Sequence, residues 1–137
     1  MPYQHQLRVR YGECDRQAVV YNANYMVYID EATEVWVRSV SPGGDYRELN
    51  WEWQVVRAVL EWHDSARDAD IVTVDVAVVR YGKTSFDFGF IGRIENDLIF
   101  KARTVCVSMV AFTLEKIPIP ETVKAALGEP VDWDVPV

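Results

Sequence analysis

A single carboxylate, that of Asp15, stands between a strand-like segment and the start of a helix-like segment. Asn22 follows it seven residues later, where the helical pattern begins. Unpaired backbone N–H groups at a helix start carry partial positive charge, which can polarise a carbonyl group or hold a developing oxyanion. A carboxylate beside such a group favours acyl-transfer or hydrolytic chemistry. On residue type alone, a turn or helix-capping aspartate is the commoner explanation of Asp15.

The segment after Asp15 is predicted to be the longest helix of the chain. It extends from Asn24 to Val40, with Asn22 or Asn24 as its N-cap and with the run from Ser41 to Gly44 as its stop. One face is apolar at helical spacing and the other is polar, which predicts that the helix packs on a core. The apolar positions are Tyr25, Tyr28, Ile29, Ala32, Val35 and Trp36, and the polar ones are Asp30, Glu34 and Arg38.

The remaining elements are predicted to be strands and one short helix. Alternating or β-branched residues predict strands over Tyr3–Tyr11, Gln54–Trp62, Ile71–Arg80, Ser85–Ile94 and Leu98–Leu114. Phe86, Phe88 and Phe90 form a stripe of period two. The links after Arg80 and Ile94 are short enough to make neighbouring strands antiparallel. A second helix is expected from Pro120 to Leu127, ended by Gly128.

These elements predict an α+β fold with a curved antiparallel sheet of about five strands and the long helix on its concave face. One domain covers residues 1–137, because the chain is too short for two typical domains. Val55, Val59 and Ile91 are expected on the other face of the sheet. Their apolar side chains suggest that a second copy packs there.

Composition excludes several classes of partner. The formal net charge of -7 argues against a nucleic-acid-binding surface. Cys14 and Cys106 are far apart, which signals neither a disulfide framework nor a zinc site, so a reducing cytoplasm is the expected location. No signal peptide or membrane-spanning run is recognisable, and no membrane insertion is expected.

Catalytic motifs of other hydrolases are missing from the sequence. No GxSxG, HExxH, P-loop or dinucleotide fingerprint occurs, which removes serine-hydrolase, zinc-hydrolase and nucleotide-dependent interpretations. No histidine is placed by a motif to activate Cys14, so we interpret this thiol as structural. We expect no metal and no redox cofactor.

Taken together, these residues resemble a known family over roughly residues 5–127. They resemble the hotdog-fold acyl-CoA thioesterases of the 4-hydroxybenzoyl-CoA thioesterase type, including the bacterial group encoded with the Tol-Pal system. The resemblance is carried by Arg10-Tyr-Gly-Glu-Cys-Asp15, Val19-Val20-Tyr21, Asn24-Tyr25, Val55-Val56-Arg57, Arg80-Tyr-Gly-Lys83-Thr-Ser85 and Pro118-Ile-Pro120.

The resemblance implies a hotdog fold, in which the sheet wraps around one long central helix, and an acyl-CoA thioesterase working as a homodimer or homotetramer. Asp15 matches the catalytic aspartate, either as nucleophile or as general base. Asn22 matches the position whose backbone N–H faces the substrate carbonyl. The places that match coenzyme A contacts are Ser65, Arg67, Lys83, Thr84 and Ser85, and Tyr21 and Tyr25 are candidates for lining the acyl pocket among otherwise core aromatic residues.

Two positions depart from the family pattern. Ala18 stands where many relatives carry glycine, and Asn22 stands where some carry histidine or tyrosine. Asparagine cannot act as a general acid or base, so its side chain can only orient water or the carbonyl. Two alternatives stay open at this point: a thioesterase acting on an acyl-carrier protein, and a non-catalytic module that binds acyl-CoA. Glu31 and Glu34 on the helix are further, less favoured candidates for catalysis.

Overall fold

The computed structural model describes residues 2–137 of the chain, which fold as five strands and two α-helices joined by short turns. Three of these turns, at Tyr11–Glu13, Pro42–Gly44 and Tyr46–Leu49, are 3₁₀ helices. In chain order the main elements are β1 (Tyr3–Arg8), α1 (Asn24–Ser39), β2 (Trp51–Trp62), β3 (Ile71–Tyr81), β4 (Ser85–Ile94), β5 (Asp97–Val110) and α2 (Glu121–Leu127).

All five strands form one antiparallel sheet in the order β1-β3-β4-β5-β2, which confirms the predicted α+β class. The predicted strands are present, with shifts at their ends. The first strand ends at Arg8 rather than at Tyr11, because the 3₁₀ turn rotates Tyr11 outward and leaves 82% of it exposed. The last strand ends at Val110 rather than at Leu114, because a turn follows in which Phe112 and Leu114 have left-handed backbone conformations.

One face of the sheet carries the core and packs against α1. Phe86, Phe88 and Phe90 are buried on this face, as the period-two stripe predicts, and Phe88 meets Trp36 of α1 edge-on at 5.8 Å between ring centroids. Tyr25 packs on Phe100 at 5.3 Å. The apolar stripe of α1 is therefore the side of the helix that faces the sheet.

The predicted bounds of α1 are nearly those observed, and Glu34 and Arg38 form the expected i,i+4 pair at 2.9 Å on its outer side. The predicted cap is wrong. Ala23 holds the N-cap position with no side-chain hydrogen bond, so neither Asn22 nor Asn24 caps the helix. Within residues 2–137 no helix is both long and apolar enough to cross a membrane.

Val55 does not lie on the outer face of the sheet, contrary to the prediction. A bulge at Val56 shifts the register, so that Val55 pairs with the buried Cys106 and faces α1, whereas Val59 pairs with Arg103 on the outer face. A bulge adds one residue to one strand and reverses the alternation beyond it. Strict alternation therefore assigned Val55 to the wrong side.

The segment after α2 crosses the outer face of the sheet. The Val131 N–H donates to the Val78 carbonyl oxygen at 2.9 Å, and Val135 is only 8% exposed. The Arg103 guanidinium donates to the Pro136 carbonyl oxygen at 3.2 Å. Part of the face that the sequence suggested for a second copy is thus covered by the chain itself.

Candidate active site

Asp15 lies in a small hairpin made by residues 13–21, directly before α1. The tip of the hairpin is the turn from Arg16 to Ala18. Because backbone bonds tie its two sides together, the position of Asp15 is set by the main chain. These ties are a 2.9 Å hydrogen bond from the Tyr21 N–H to the Glu13 carbonyl oxygen, a bridge between Cys14 and Val20, and a 2.9 Å hydrogen bond from the Asp15 N–H to the Val19 carbonyl oxygen.

The tight turn after Asp15 forms without glycine. Ala18 adopts a left-handed backbone conformation with φ of 62°, which residues other than glycine, asparagine and aspartate rarely adopt. The Ala18 N–H donates to the Asp15 carbonyl oxygen at 3.0 Å and closes the turn. Ala18 therefore forms this turn at the cost of backbone strain.

The Asp15 carboxylate uses one oxygen for structure and has the other available. Oδ1 accepts the Gln17 N–H at 2.8 Å, as turn-forming aspartates do. Among the described residues Oδ2 has no hydrogen-bond donor, and the side chain is half-buried. A turn role and a chemical role are thus compatible in this one residue.

The start of α1 offers two backbone N–H groups without acceptors. The Asn24 N–H donates to the Tyr21 carbonyl oxygen at 2.9 Å, and the Met26 N–H donates to the Ala23 carbonyl oxygen at 3.2 Å. Within the described residues, the N–H groups of Asn22 and Ala23 donate to no protein atom. Such groups are donors for a carbonyl oxygen or an oxyanion.

One pocket of about 300 Å³ collects most of the predicted site residues. Asp15, Tyr21, Asn22, Tyr25 and Ser65 all line it. Tyr21 is 53% exposed, whereas Tyr25 is buried and its hydroxyl accepts the Ala66 N–H at 3.1 Å. Burial, ahead of nearby negative charges, raises the pKa of the Tyr25 phenol, so this residue stays neutral and fixes the pocket wall.

The same pocket contains residues that the sequence did not indicate. Trp62 closes it from the end of β2 with half of its surface exposed, and Asp64 adds a second carboxylate. Asp64 Oδ1 accepts the Ser65 N–H at 2.8 Å, so its sequence context is that of an ordinary turn residue. Gln17, Val19 and Val20 complete the lining. In the sequence, Val19 and Val20 stood out only as part of the family resemblance, and nothing there indicated Gln17.

The other predicted binding residues lie outside this pocket. Arg67 is next to the hairpin, since its Nη1 donates to the Ala18 carbonyl oxygen at 3.4 Å. The turn of Lys83, Thr84 and Ser85 lies at the opposite end of the sheet in the same copy: Ser85 pairs with Val107, which in turn pairs with Gln54 near the start of β2. The exposed Lys83 is free to meet solvent or another molecule.

Cys14 borders the site but lacks the properties of a nucleophile. Burial, together with the charges of Asp68, Asp15 and Glu13, raises the pKa of its thiol. The reactive form of cysteine is the thiolate, which these neighbours disfavour near neutral pH. The carboxylate of Asp15 is the better candidate for covalent or base chemistry.

Comparison with known proteins identifies relatives of one kind. The family model described as "Thioesterase-like superfamily" matches residues 9–127. A protein of Aquifex aeolicus (strain VF5) named "Putative esterase" is 28% identical over 105 residues, which are 76% of this chain and 82% of that protein.

Solved structures share the fold. A member of the thioesterase superfamily from Jannaschia sp. CCS1 superposes with a TM-score of 0.84 at 23% identity, covering 91% of this chain and 90% of the other. The 1,4-dihydroxy-2-naphthoyl-CoA thioesterase Slr0204 from Synechocystis gives a TM-score of 0.80 at 18% identity, covering 93% and 96%.

Proposed function

The chain belongs to the thioesterase-like superfamily and is a thioester hydrolase, and we propose that it cleaves an acyl-CoA to free coenzyme A and a carboxylic acid. The observation that carries the proposal is the pocket that Asp15 and Asn22 both line, where the Asn22 N–H has no acceptor among the described residues. Within the superfamily we place the chain with the hotdog enzymes of the 4-hydroxybenzoyl-CoA thioesterase type, with α1 as their central helix.

The pocket supplies the two groups that thioester cleavage needs. The N–H groups of Asn22 and Ala23 hold the thioester carbonyl oxygen and stabilise the negative charge that develops on it. Asp15 Oδ2 either attacks the carbonyl carbon, giving an anhydride and releasing the coenzyme A thiolate, or removes a proton from the attacking water. Water then completes hydrolysis of the anhydride in the first route. Both routes yield the same products.

A second copy of the chain is part of the proposal. Strand β2 lies at an edge of the sheet, and Val56 on it is 60% exposed. Its unpaired backbone groups suit antiparallel pairing with β2 of another copy across a two-fold axis. Sedimentation of the wild type beside Val56→Lys, which charges this edge, checks the interface: a dimer that the lysine leaves intact would contradict it.

Such pairing gives Lys83, Thr84 and Ser85 a role. Antiparallel pairing of two β2 strands reverses one sheet relative to the other, so the turn from one copy comes to the end of the joint sheet at which the other copy carries Asp15. We propose that Lys83, Thr84 and Ser85 contact the coenzyme A phosphates there, together with Ser65 and Arg67 beside the hairpin. A lysine is a suitable point charge for phosphate.

The test is release of free thiol from a panel of benzoyl-, hydroxybenzoyl- and straight-chain acyl-CoAs, with the same acyl groups on a carrier protein as a parallel series. Asp15→Asn is expected to lower kcat at least about 10³-fold. Asp45→Asn is the matched control, because Asp45 Oδ1 accepts the Arg47 N–H at 2.9 Å in the same kind of turn, outside the pocket.

Two outcomes would contradict the proposal in different ways. Turnover with carrier-protein thioesters and with no acyl-CoA would show that the substrate is an acyl-carrier protein and not an acyl-CoA. Equal kcat values for Asp15→Asn and Asp45→Asn would show that Asp15 has no catalytic role.

A further inference from the structure

Glu13 joins the Asp15 hairpin to α1 through both its main chain and its side chain. Its carbonyl oxygen accepts the Tyr21 N–H at 2.9 Å and the Asn24 side-chain N–H at 2.8 Å. Its Oε1 accepts the Tyr28 hydroxyl at 2.9 Å and the Arg10 N–H at 2.8 Å. Glu13 thus accepts four hydrogen bonds, although it does not line the pocket.

The helix side of this junction is rigid. Asn24 and Tyr28 are four residues apart and therefore lie on the same face of α1. Tyr28 is only 2% exposed and packs edge-on against Tyr25 at 5.7 Å between centroids. Burial, and then the hydrogen bond to Glu13, raise the pKa of the Tyr28 phenol, so the hydroxyl remains a donor through the neutral and mildly alkaline range.

The hairpin side has few other ties to the helix. Residues 16–18 at its tip are exposed, and the hairpin is closed near the helix by the Tyr21–Glu13 bond. Tyr21 directly precedes Asn22, whose N–H group has no acceptor in the part of the chain that the structure describes. Glu13 therefore connects the two parts of the site. It precedes Asp15 by two residues, and its carbonyl oxygen accepts hydrogen bonds from Tyr21 and Asn24, which flank the two donor residues.

We propose that Glu13, Asn24 and Tyr28 form a positioning clamp that holds the Asp15 carboxylate at the correct distance from the N–H groups of Asn22 and Ala23. The clamp rests on the proposed function and adds positioning residues to the same site. None of the three touches the substrate; they act through the hairpin. A misplacement of about 1 Å between reacting groups can lower turnover about 10²-fold.

A purely structural role for these bonds makes different predictions. Deleting a part-buried hydrogen bond lowers the melting temperature wherever it lies, whereas a clamp variant also lowers kcat. Tyr81→Phe supplies the comparison, because the Tyr81 hydroxyl donates to the Gly128 carbonyl oxygen at 2.8 Å and is part-buried like that of Tyr28. Tyr81 lies away from the Asp15 hairpin, near the end of α2.

The experiment measures kcat and KM for thiol release by the full chain, with melting temperatures. Tyr28→Phe and Asn24→Ala should each lower kcat 10- to 100-fold with KM changed less than threefold, and the double variant should lose little more, because both act through Glu13. Glu13→Gln, which keeps one side-chain oxygen able to accept from both Tyr28 and Arg10, should retain kcat within about fivefold, whereas Glu13→Ala should lose about 10²-fold.

Wild-type kcat in Tyr28→Phe and Asn24→Ala would overturn the clamp, as would an equal loss of kcat in Tyr81→Phe. If Asp15→Asn loses turnover while the clamp variants do not, the clamp fails and the proposed function stands. If Asp15→Asn retains turnover, the proposed function fails.

Amide hydrogen exchange of the peptide spanning residues 13–22 tests the clamp without any substrate. Opening of the hairpin should speed its exchange about tenfold in Tyr28→Phe and leave it unchanged in Tyr81→Phe. Unchanged exchange in both variants would count against the clamp.

Discussion

Replacing Asn22 by proline isolates the contribution of a single backbone N–H group. The hydrogen bond from the Asn24 N–H to the Tyr21 carbonyl oxygen closes a four-residue turn in which Asn22 holds the second position. Proline is favoured at this position because its fixed φ suits the turn. The Asn22 N–H has no acceptor among the described residues, and its side chain makes no hydrogen bond to them. Proline therefore removes the donor without breaking a hydrogen bond within residues 2–137.

The expected loss follows from what the N–H does in the transition state. Removing one oxyanion donor typically lowers kcat 10²–10³-fold, or about 2.7–4 kcal/mol. Asn22→Pro should fall in this range, because the Ala23 N–H remains. Asn22→Ala keeps the main-chain donor and should retain kcat within about fivefold, well above the value for Asp15→Asn. Neither variant loses an internal hydrogen bond, so the free energy of unfolding should change by less than about 1 kcal/mol.

Steady-state thiol release and urea unfolding of the two Asn22 variants decide the matter. We expect kcat to differ between the two variants while the free energy of unfolding stays the same. A proline variant that keeps the wild-type kcat would show that the N–H is not an oxyanion donor. An alanine variant as impaired as the proline variant would transfer the role to the Asn22 side chain.

Three further predictions concern stability. Ala18→Gly relieves the left-handed strain and should stabilise the fold by about 0.5–1 kcal/mol in urea unfolding without changing kcat. Gly92→Ala should destabilise it by about 1–3 kcal/mol in the same assay, because an added Cβ overlaps the ring of Phe100. Burial, and then the charge of Glu34, raise the pKa of Asp30 in the folded protein above its ordinary value of 3.8. The stability that this group contributes is therefore fully present below the pKa of the unfolded chain, and it is lost as pH rises through the pKa of the folded protein. Asp30→Asn should therefore raise the melting temperature slightly at about pH 7, and the gain should vanish near pH 3.

The fold could be predicted because its signals are local and repeated. The apolar stripe from Tyr25 to Trp36 and the alternation through Phe86, Phe88 and Phe90 each report on one element and its buried side. The helix cap could not be predicted in this way. Two asparagines stand at the right place by propensity, but Asn24 instead donates its side-chain N–H to Glu13, eleven residues away in sequence. A tertiary contact overrides the capping preference.

In the candidate site, too, the residues set by local sequence could be predicted, and those set by tertiary contacts could not. The part that the sequence indicated, Asp15 with Tyr21, Asn22 and Tyr25, is contiguous in the chain, so its geometry is set by a hairpin and a helix start. The part that it missed comes from the end of β2. Trp62 and Asp64 reach the pocket through the pairing of β2 with β5, which no local pattern specifies.

The bulge at Val56 is the feature that brings Trp62 to the site. Val55 faces α1, and strict alternation over the seven residues to Trp62 would place that tryptophan on the outer face. The extra residue at the bulge restores the inner side, so that Trp62 pairs with the buried Phe100 and lines the pocket. The same irregularity that made the predicted side of Val55 wrong therefore brings Trp62 into the lining of the pocket, consistent with bulges re-aiming side chains at functional sites.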